Sequence, residues 1–122
     1  MIGYVTLGSN QAEKAFEFYD SLLAELGAQR VMEVNGKIFW GKSPKGPFLA
    51  VGKPYDGETA TAGNGTMISL AVSSKEQVDA VYQKALALGG SDEGKPGLRT
   101  DNFHGAYFRD LDGNKLCVFC MV

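Results

Sequence analysis

The 122-residue sequence has few of the features that extracellular, nucleic-acid-binding or membrane proteins depend on. It contains only two cysteines and one histidine, and its 12 basic residues are matched by 14 acidic ones. No basic run exceeds one or two residues, so an electrostatic face for nucleic acid is not expected. No apolar run approaches the roughly 20 residues that cross a bilayer, and the N-terminus shows no export signal. The low cysteine content favours a reduced, cytoplasmic protein.

What the sequence does contain is the composition of one folded domain. Hydrophobic residues make up 44% of the chain and charged residues 21%, which is typical of a soluble globular protein. A chain of this length buries a substantial core without disulfides. We therefore expect a single domain whose secondary structure follows from its hydrophobic periodicity.

The first half of the chain predicts a strand, a helix and three further strands. Apolar residues alternate along Ile2–Leu7, and a helical apolar stripe follows from Ala12 to Leu26, where Gly27 ends it. Asn10 is the predicted N-cap of this helix, with Glu13 completing a capping box. The three strands that follow are predicted at Gln29–Val34, Lys37–Gly41 and Pro47–Val51, with Asn35-Gly36 as a two-residue hairpin turn.

The second half predicts the same order of elements after an aperiodic linker at about 54–65. A strand is predicted at Met67–Val72, and Ser73 or Ser74 would cap a helix that ends at Gly89-Gly90. A segment rich in glycine, proline and aspartate leads from there to a final hairpin around Asp112-Gly113. Periodicity by itself thus indicates an α+β protein with an antiparallel-rich sheet.

Strand alternation also predicts which side chains face the helices. The apolar sets Val5/Leu7, Ile68/Leu70/Val72 and Leu116/Val118 would pack on them. The opposite sets mix polar, aromatic and sulfur-containing side chains, as the lining of a partly wet cavity does. These are Tyr4/Thr6, Met67/Ser69 and Cys117/Phe119.

The final hairpin, Gly105–Cys120, carries a family resemblance through its turn Asp110-Leu111-Asp112-Gly113-Asn114. It resembles the vicinal-oxygen-chelate superfamily of glyoxalase I, bleomycin-resistance proteins and extradiol dioxygenases, with Leu111 in place of the usual proline. The resemblance implies two tandem β-α-β-β-β modules, at about 1–53 and 66–122. These would form a curved, mostly antiparallel mixed sheet with the helices on its outer side and a ligand pocket on its concave face.

The same resemblance raises the question of a metal ion. Catalytic relatives hold a divalent metal through His or Gln, Glu, His and Glu on the first, fourth, fifth and eighth strands. The matching positions here are Tyr4, one of Leu49, Ala50 and Val51, then Met67 and Cys117. A phenol, an aliphatic side chain, a thioether and one thiol are not the donors that such an ion requires. We therefore expect no metal and no other cofactor.

Several residues are candidates for the site. His104 and Cys117 are the candidate catalytic groups, His104 as a general base and Cys117 as a nucleophile. Cys120 lies three residues further along the same strand, so its side chain should point to the opposite face and be buried. Arg99 could clamp a carboxylate or phosphate, whereas Arg109 should brace the turn. The remaining candidate ligand-binding residues are Tyr4, Trp40, Met67, Tyr107 and Phe119.

Three functions remain open from the sequence. The first is a metal-free protein of the bleomycin-resistance type that binds a small organic molecule without turnover. The second is a glyoxalase-like lyase or isomerase that uses His104 or Cys117. The third is a non-catalytic dimeric interaction module. The resemblance also implies a homodimer, because family members frequently pair across their sheets.

Overall fold

The computed structural model describes all residues from Met1 to Val122 and has the α+β class that the sequence predicts. Neither of its two helices, each of 13 residues, has the length and apolar run that a membrane crossing requires. The elements in chain order are β1 (Tyr4–Gly8), α1 (Ala12–Ala24), β2 (Gln29–Val34), β3 (Lys37–Gly41), β4 (Phe48–Gly52), β5 (Ile68–Ala71), α2 (Lys75–Ala87), β6 (Ser91–Thr100), β7 (Phe103–Arg109) and β8 (Lys115–Met121).

The eight strands form two sheets of four that repeat one topology. The first sheet has the order β1-β4-β3-β2 and the second the order β5-β8-β7-β6. In each sheet the strand before the helix pairs in parallel with the last strand of its module, and the other pairs are antiparallel. The two tandem β-α-β-β-β modules are thereby confirmed.

The helix caps were predicted correctly for α2 and wrongly for α1. The Ser74 hydroxyl accepts a bond from the Gln77 N–H at 3.2 Å, and the Gln77 side chain accepts one from the Ser73 N–H at 2.9 Å. At α1 the N-cap is Gln11, without a side-chain cap bond. The Asn10 side chain instead bonds both backbone groups of Ala60, at 3.1 and 2.7 Å, and so binds the linker. The Asn10 amide therefore bonds to the linker and does not cap the N-terminus of α1.

Periodicity did not predict strand β6, although the family resemblance implied three strands after the second helix. Residues Ser91–Thr100 contain two glycines and a proline, a composition that favours loops, yet they pair with β7 along nearly their whole length. Three register shifts in this pair interrupt the alternation of side chains. Such bulges hide the period of two that sequence analysis relies on.

One core joins the two modules. Its 20 buried residues come from both helices and from the helix-covered faces of both sheets, and the helices contact each other. The predicted apolar sets do face the helices, with Leu7, Leu116 and Val118 each at most 5% exposed. Consequently the other face of each sheet lies on the outside of the chain. We call these the uncovered faces; the first carries Tyr4, Phe39 and Ala50, and the second carries Ser69, Tyr107 and Cys117.

The turn Asp110–Asn114 fastens the second module to the first. The Ser9 hydroxyl donates to Asp112 at 2.6 Å, and the Asn114 side chain donates to the Gly8 carbonyl at 3.0 Å. Asp110 and Asn114 are buried, at 6% and 3% exposure. The polar residues of the turn therefore have a structural function, since they bind the junction between β1 and α1.

Candidate functional site

The uncovered face of the second sheet brings several predicted site residues together. Cys117 on β8 lies in register between Ser69 on β5 and Tyr107 on β7. Neighbouring side chains in register share a face, so these three form one cluster, with Phe119 two residues further along β8. Alternation had predicted the placement of Ser69, Cys117 and Phe119, and the structure confirms it.

Cys117 is a buried thiol that is held in its protonated form. It is fully buried, and this burial raises the pKa of its thiol. Interactions with the Ser69 and Tyr107 side chains and the positive charges of Arg99 and Lys115 oppose that rise without cancelling it. Near neutral pH little thiolate is therefore present, and Cys117 packs as a small, weakly polar side chain beneath the surface.

Two cations flank the ring of Tyr107. The guanidinium carbon of Arg99 is 5.3 Å from the ring centroid, and the ammonium nitrogen of Lys115 is 5.5 Å from it. Neither cation forms an ion pair with a carboxylate, whereas Arg109 is paired with Glu93 at 2.6 Å. The surface around Tyr107 thus has uncompensated positive charge, although the whole chain has a net charge of −2.

Aromatic side chains lie on both uncovered faces. On the second sheet the rings of Phe103 and Phe119 are stacked at a centroid distance of 4.8 Å. On the first sheet Tyr4 and Phe48 each contact Phe39 edge to face, at 5.2 and 6.2 Å. Tyr4 remains 57% exposed. Large aromatic surface in this position is available for a ligand or a second chain.

His104 lies on the opposite side of the second sheet from Cys117. Along β7 it alternates with Phe103 and Tyr107, so it faces the helix-covered side. Its Nε2 atom is buried and has no hydrogen-bond partner, and Asp101 does not bond to it. The two candidate catalytic groups are therefore not brought together.

An apolar cavity of about 570 Å³ lies between the two modules, and two predicted residues, Trp40 and Met67, line it. It has mostly apolar walls, formed by residues at the end of α1 and along β1, β4 and β5. Trp40 is only 1% exposed, and its indole N–H donates to Asp20 at 2.9 Å. Trp40 is thus a core residue that also forms part of a cavity wall.

The residues at the four positions of the family metal site do not fit a divalent ion. Tyr4 lies on β1, Met67 directly before β5 and Cys117 on β8, and of the three candidates on β4 only Ala50 is on the uncovered face. The methyl group of Ala50 has no donor atom, and a phenol, a thioether and a single thiol are not the donor set that such an ion requires. In addition, no cluster of three or more His, Cys, Asp or Glu side chains could hold an ion.

Sequence reasoning missed three contributors to the uncovered faces, Phe39, Phe48 and Lys115. The alternation of β3 and β4 could have assigned Phe39 and Phe48 to the face that carries Tyr4. Nothing in the sequence could have shown that Lys115 lies against Tyr107, since this contact depends on the register of β7 against β8.

Comparison with known proteins agrees with this architecture. The family model described as the glyoxalase/bleomycin resistance protein/dioxygenase superfamily matches residues 1–118. A glyoxalase/bleomycin resistance protein from Albidiferax ferrireducens T118 is 37% identical, with all of this chain and 99% of that chain aligned at a TM-score of 0.91. No functionally curated protein matches.

More distant solved structures share the fold. A hypothetical protein from S. aureus is 23% identical at a TM-score of 0.76, over 98% of this chain and 92% of that one. A lactoylglutathione lyase from Agrobacterium tumefaciens is 18% identical at a TM-score of 0.69, with the same coverage. The match of nearly the whole chain, together with the 37% identical relative, establishes that the chain belongs to the glyoxalase/bleomycin resistance protein/dioxygenase superfamily.

Proposed function

We propose that this protein binds a small organic molecule on its uncovered sheet faces, without a metal ion and without converting it. The observation that carries the proposal is the cluster of Ser69, Tyr107 and Cys117, flanked by the unpaired cations of Arg99 and Lys115. Mostly apolar walls with a few placed polar groups are the usual form of a small-molecule site. An aromatic ligand could stack on the rings there, and an anionic group could bind the cations.

Binding is favoured over turnover by the state of the candidate catalytic groups. A thiol whose pKa is raised by burial is a poor nucleophile near neutral pH. His104 faces the other side of the sheet and could not act on a molecule bound at Cys117. The side chains at the family metal positions are not the donors that a divalent metal ion, acting as a Lewis acid, requires. No observation therefore favours the lyase or isomerase alternative.

A homodimer is part of the proposal, because a single chain leaves both uncovered faces on its outside. Tyr4 on the first sheet and Met67 beside β5 are 57% and 40% exposed, a large exposure for apolar and aromatic side chains. A second copy that covers these faces would convert a shallow surface into an enclosed pocket. Two free cysteines on opposite faces of β8 are consistent with the cytoplasmic location that we also propose.

The test is a thermal-shift screen of metabolites and drug-like molecules, followed by calorimetric titration of any stabilising compound. Tyr107→Ala should abolish binding, and the matched control Tyr55→Ala should not, because Tyr55 is 97% exposed. Metal analysis of the purified protein and sedimentation should give no stoichiometric metal and a dimer. A tightly bound metal, or the absence of any stabilising compound, would contradict the proposal.

A further inference from the structure

A smaller cavity, of about 350 Å³, lies where the linker meets the second sheet. The linker residues Gly63–Thr66 form one wall, and Met67, Arg109 and Lys115 complete it. Lys115 and Met67 also belong to the uncovered face described above, so this cavity adjoins the proposed binding surface. Apart from Met67 its lining is polar or glycine, which distinguishes it from the apolar cavity between the modules.

The linker wall is a tight β-turn on the surface, closed by a bond from the Thr66 N–H to the Gly63 carbonyl at 3.2 Å. The φ angles of Gly63 and Gly65 are +74° and +97°, and Asn64 between them has a negative φ. A negative φ at Asn64 followed by a positive φ at Gly65 is the pattern of a type II turn, whose two central N–H groups take no part in the closing hydrogen bond. The N–H groups of Asn64 and Gly65 donate to no acceptor within the chain. Only glycine adopts the φ of residues 63 and 65 without strain.

Positive charge lines the opposite wall. The Lys115 ammonium has no carboxylate partner, and its positive charge lowers the pKa of Glu93, although less than the hydrogen bond and charge of Arg109 do. Arg109 donates through Nε to Glu93 at 2.6 Å and through Nη1 to the Gly113 carbonyl at 2.8 Å. Its Nη2 makes no hydrogen bond within the chain. The cavity thus combines an unpaired cation, one free guanidinium nitrogen and two free backbone N–H groups.

This donor set fits a phosphate better than a carboxylate. A planar carboxylate is bound most strongly by two parallel bonds from one guanidinium. Arg109 is less suited to offer them, because its Nε already donates to Glu93 and its Nη1 to the Gly113 carbonyl. Donors from two opposite walls, together with the hydroxyl of Thr66 in the lining, match an anion whose oxygens point in several directions. Lysine is a common phosphate ligand as a point charge.

We propose that this cavity binds a phosphate group, and hence that the organic ligand is a phosphate monoester. The phosphate would lie between Lys115 and the N–H groups of Asn64 and Gly65, and the organic part would extend along the uncovered face towards Tyr107. The assignment of the ligand class rests on the proposed function. The phosphate site itself is testable without any organic ligand.

The experiment is an amide NMR titration of the native protein with inorganic phosphate, and in parallel with acetate. Phosphate should shift the Asn64 and Gly65 amides saturably, and acetate should bind much more weakly. Lys115→Met should weaken phosphate binding about tenfold, the loss expected for one charge-assisted hydrogen bond. Lys115→Arg should retain binding, and Lys45→Met, at an exposed lysine far along the chain, should leave it unchanged.

Two results would overturn the phosphate site. One is the absence of saturable shifts at Asn64 and Gly65 in a protein whose spectrum is otherwise that of a folded chain. The other is equal affinity of the native protein and Lys115→Met, or of phosphate and acetate. An organic ligand that needs Tyr107 but is not a phosphate would sink the ligand class and leave the proposed function intact. Phosphate binding without any organic ligand would contradict the proposed function and leave the phosphate site intact.

Discussion

The hydroxyl of Tyr19 donates a hydrogen bond of 2.5 Å to the Asp110 carboxylate, and thereby joins α1 to a turn 91 residues further along the chain. Both residues are buried. Asp110 also accepts bonds from the backbone N–H groups of Asp112 and Asn114. The turn that carries the family resemblance is thus held in shape by its first aspartate and is attached to the other module by the same side chain.

Removal of this hydroxyl should destabilise the protein. Tyr19→Phe keeps the ring but leaves a buried carboxylate without one donor, and we expect a loss of about 2 kcal/mol in the free energy of unfolding. Urea denaturation followed by circular dichroism measures it. Tyr55→Phe, at a position that is 97% exposed, is the matched control and should change nothing. Equal stability of the two variants would show that the bond contributes nothing to the joining of the modules.

The same pair predicts how stability changes at alkaline pH. Burial, and then the charge and hydrogen bond of Asp110, raise the pKa of Tyr19 well above its ordinary value. The folded state therefore holds the phenolic proton more tightly than the unfolded state does. The contribution of Tyr19 to stability should be constant below about pH 10 and should fall as the pH rises above it, because the unfolded chain then releases the proton.

Urea midpoints measured across that range test this expectation in the native protein and in Tyr19→Phe. The variant should lose less stability between neutral and alkaline pH than the native protein does. Some slope should remain, because the pKa of Tyr82 is also raised, chiefly by burial. Parallel curves for the two proteins would count against the assignment of the alkaline transition to Tyr19.

Asp20 stabilises the only tryptophan of the chain. It accepts a bond from the Trp40 indole at 2.9 Å and two from Arg30 at 2.8 Å. Asp20→Ala should lower the free energy of unfolding by about 1–3 kcal/mol, since it leaves a buried indole N–H unpaired. Trp40 fluorescence during urea unfolding measures the loss. Asp79→Ala, which removes an exposed carboxylate without hydrogen bonds, should cost far less.

Asp20 should also add an acid-sensitive contribution to stability. Its hydrogen bonds with Arg30 lower the pKa of the carboxyl, so the contribution is present above about pH 4 and is lost as the pH falls below that value. Because the Arg30 and Asp20 side chains are 47% and 40% exposed, solvent screens the pair and the effect should be modest. The acid unfolding curve of Asp20→Ala should therefore be slightly flatter than that of the native protein.

Cys117 should react slowly with alkylating reagents. In a Cys120→Ser background, iodoacetamide should modify Cys117 more slowly at pH 8 than it modifies glutathione. The thiol is inaccessible, and burial raises its pKa, so little thiolate is present. A rate above that of glutathione would indicate an activated nucleophile and would favour the lyase or isomerase hypothesis over simple binding. Denaturant should restore the rate of an ordinary cysteine.

Local signals explain the parts of the fold that the sequence predicted well. Asn35 and Gly36 both have positive φ, at 51° and 77°, as the two-residue turn requires. The flanking strands Gln29–Val34 and Lys37–Gly41 have the predicted bounds. The faces of β1, β5 and β8 followed from alternation, because a side chain's face depends only on its position along the strand.

Long-range pairing explains the parts that the sequence missed. The partner of Asn10 lies 50 residues away in the linker, and β6 is a strand because β7 supplies its hydrogen bonds. The sequence by itself determined the family, the order of the elements and the faces of its strands, since periodicity and turn chemistry are local. Only the tertiary structure separated His104 from Cys117 and placed Lys115 against Tyr107. Strand register and module packing decide such contacts, and no short stretch of sequence encodes them.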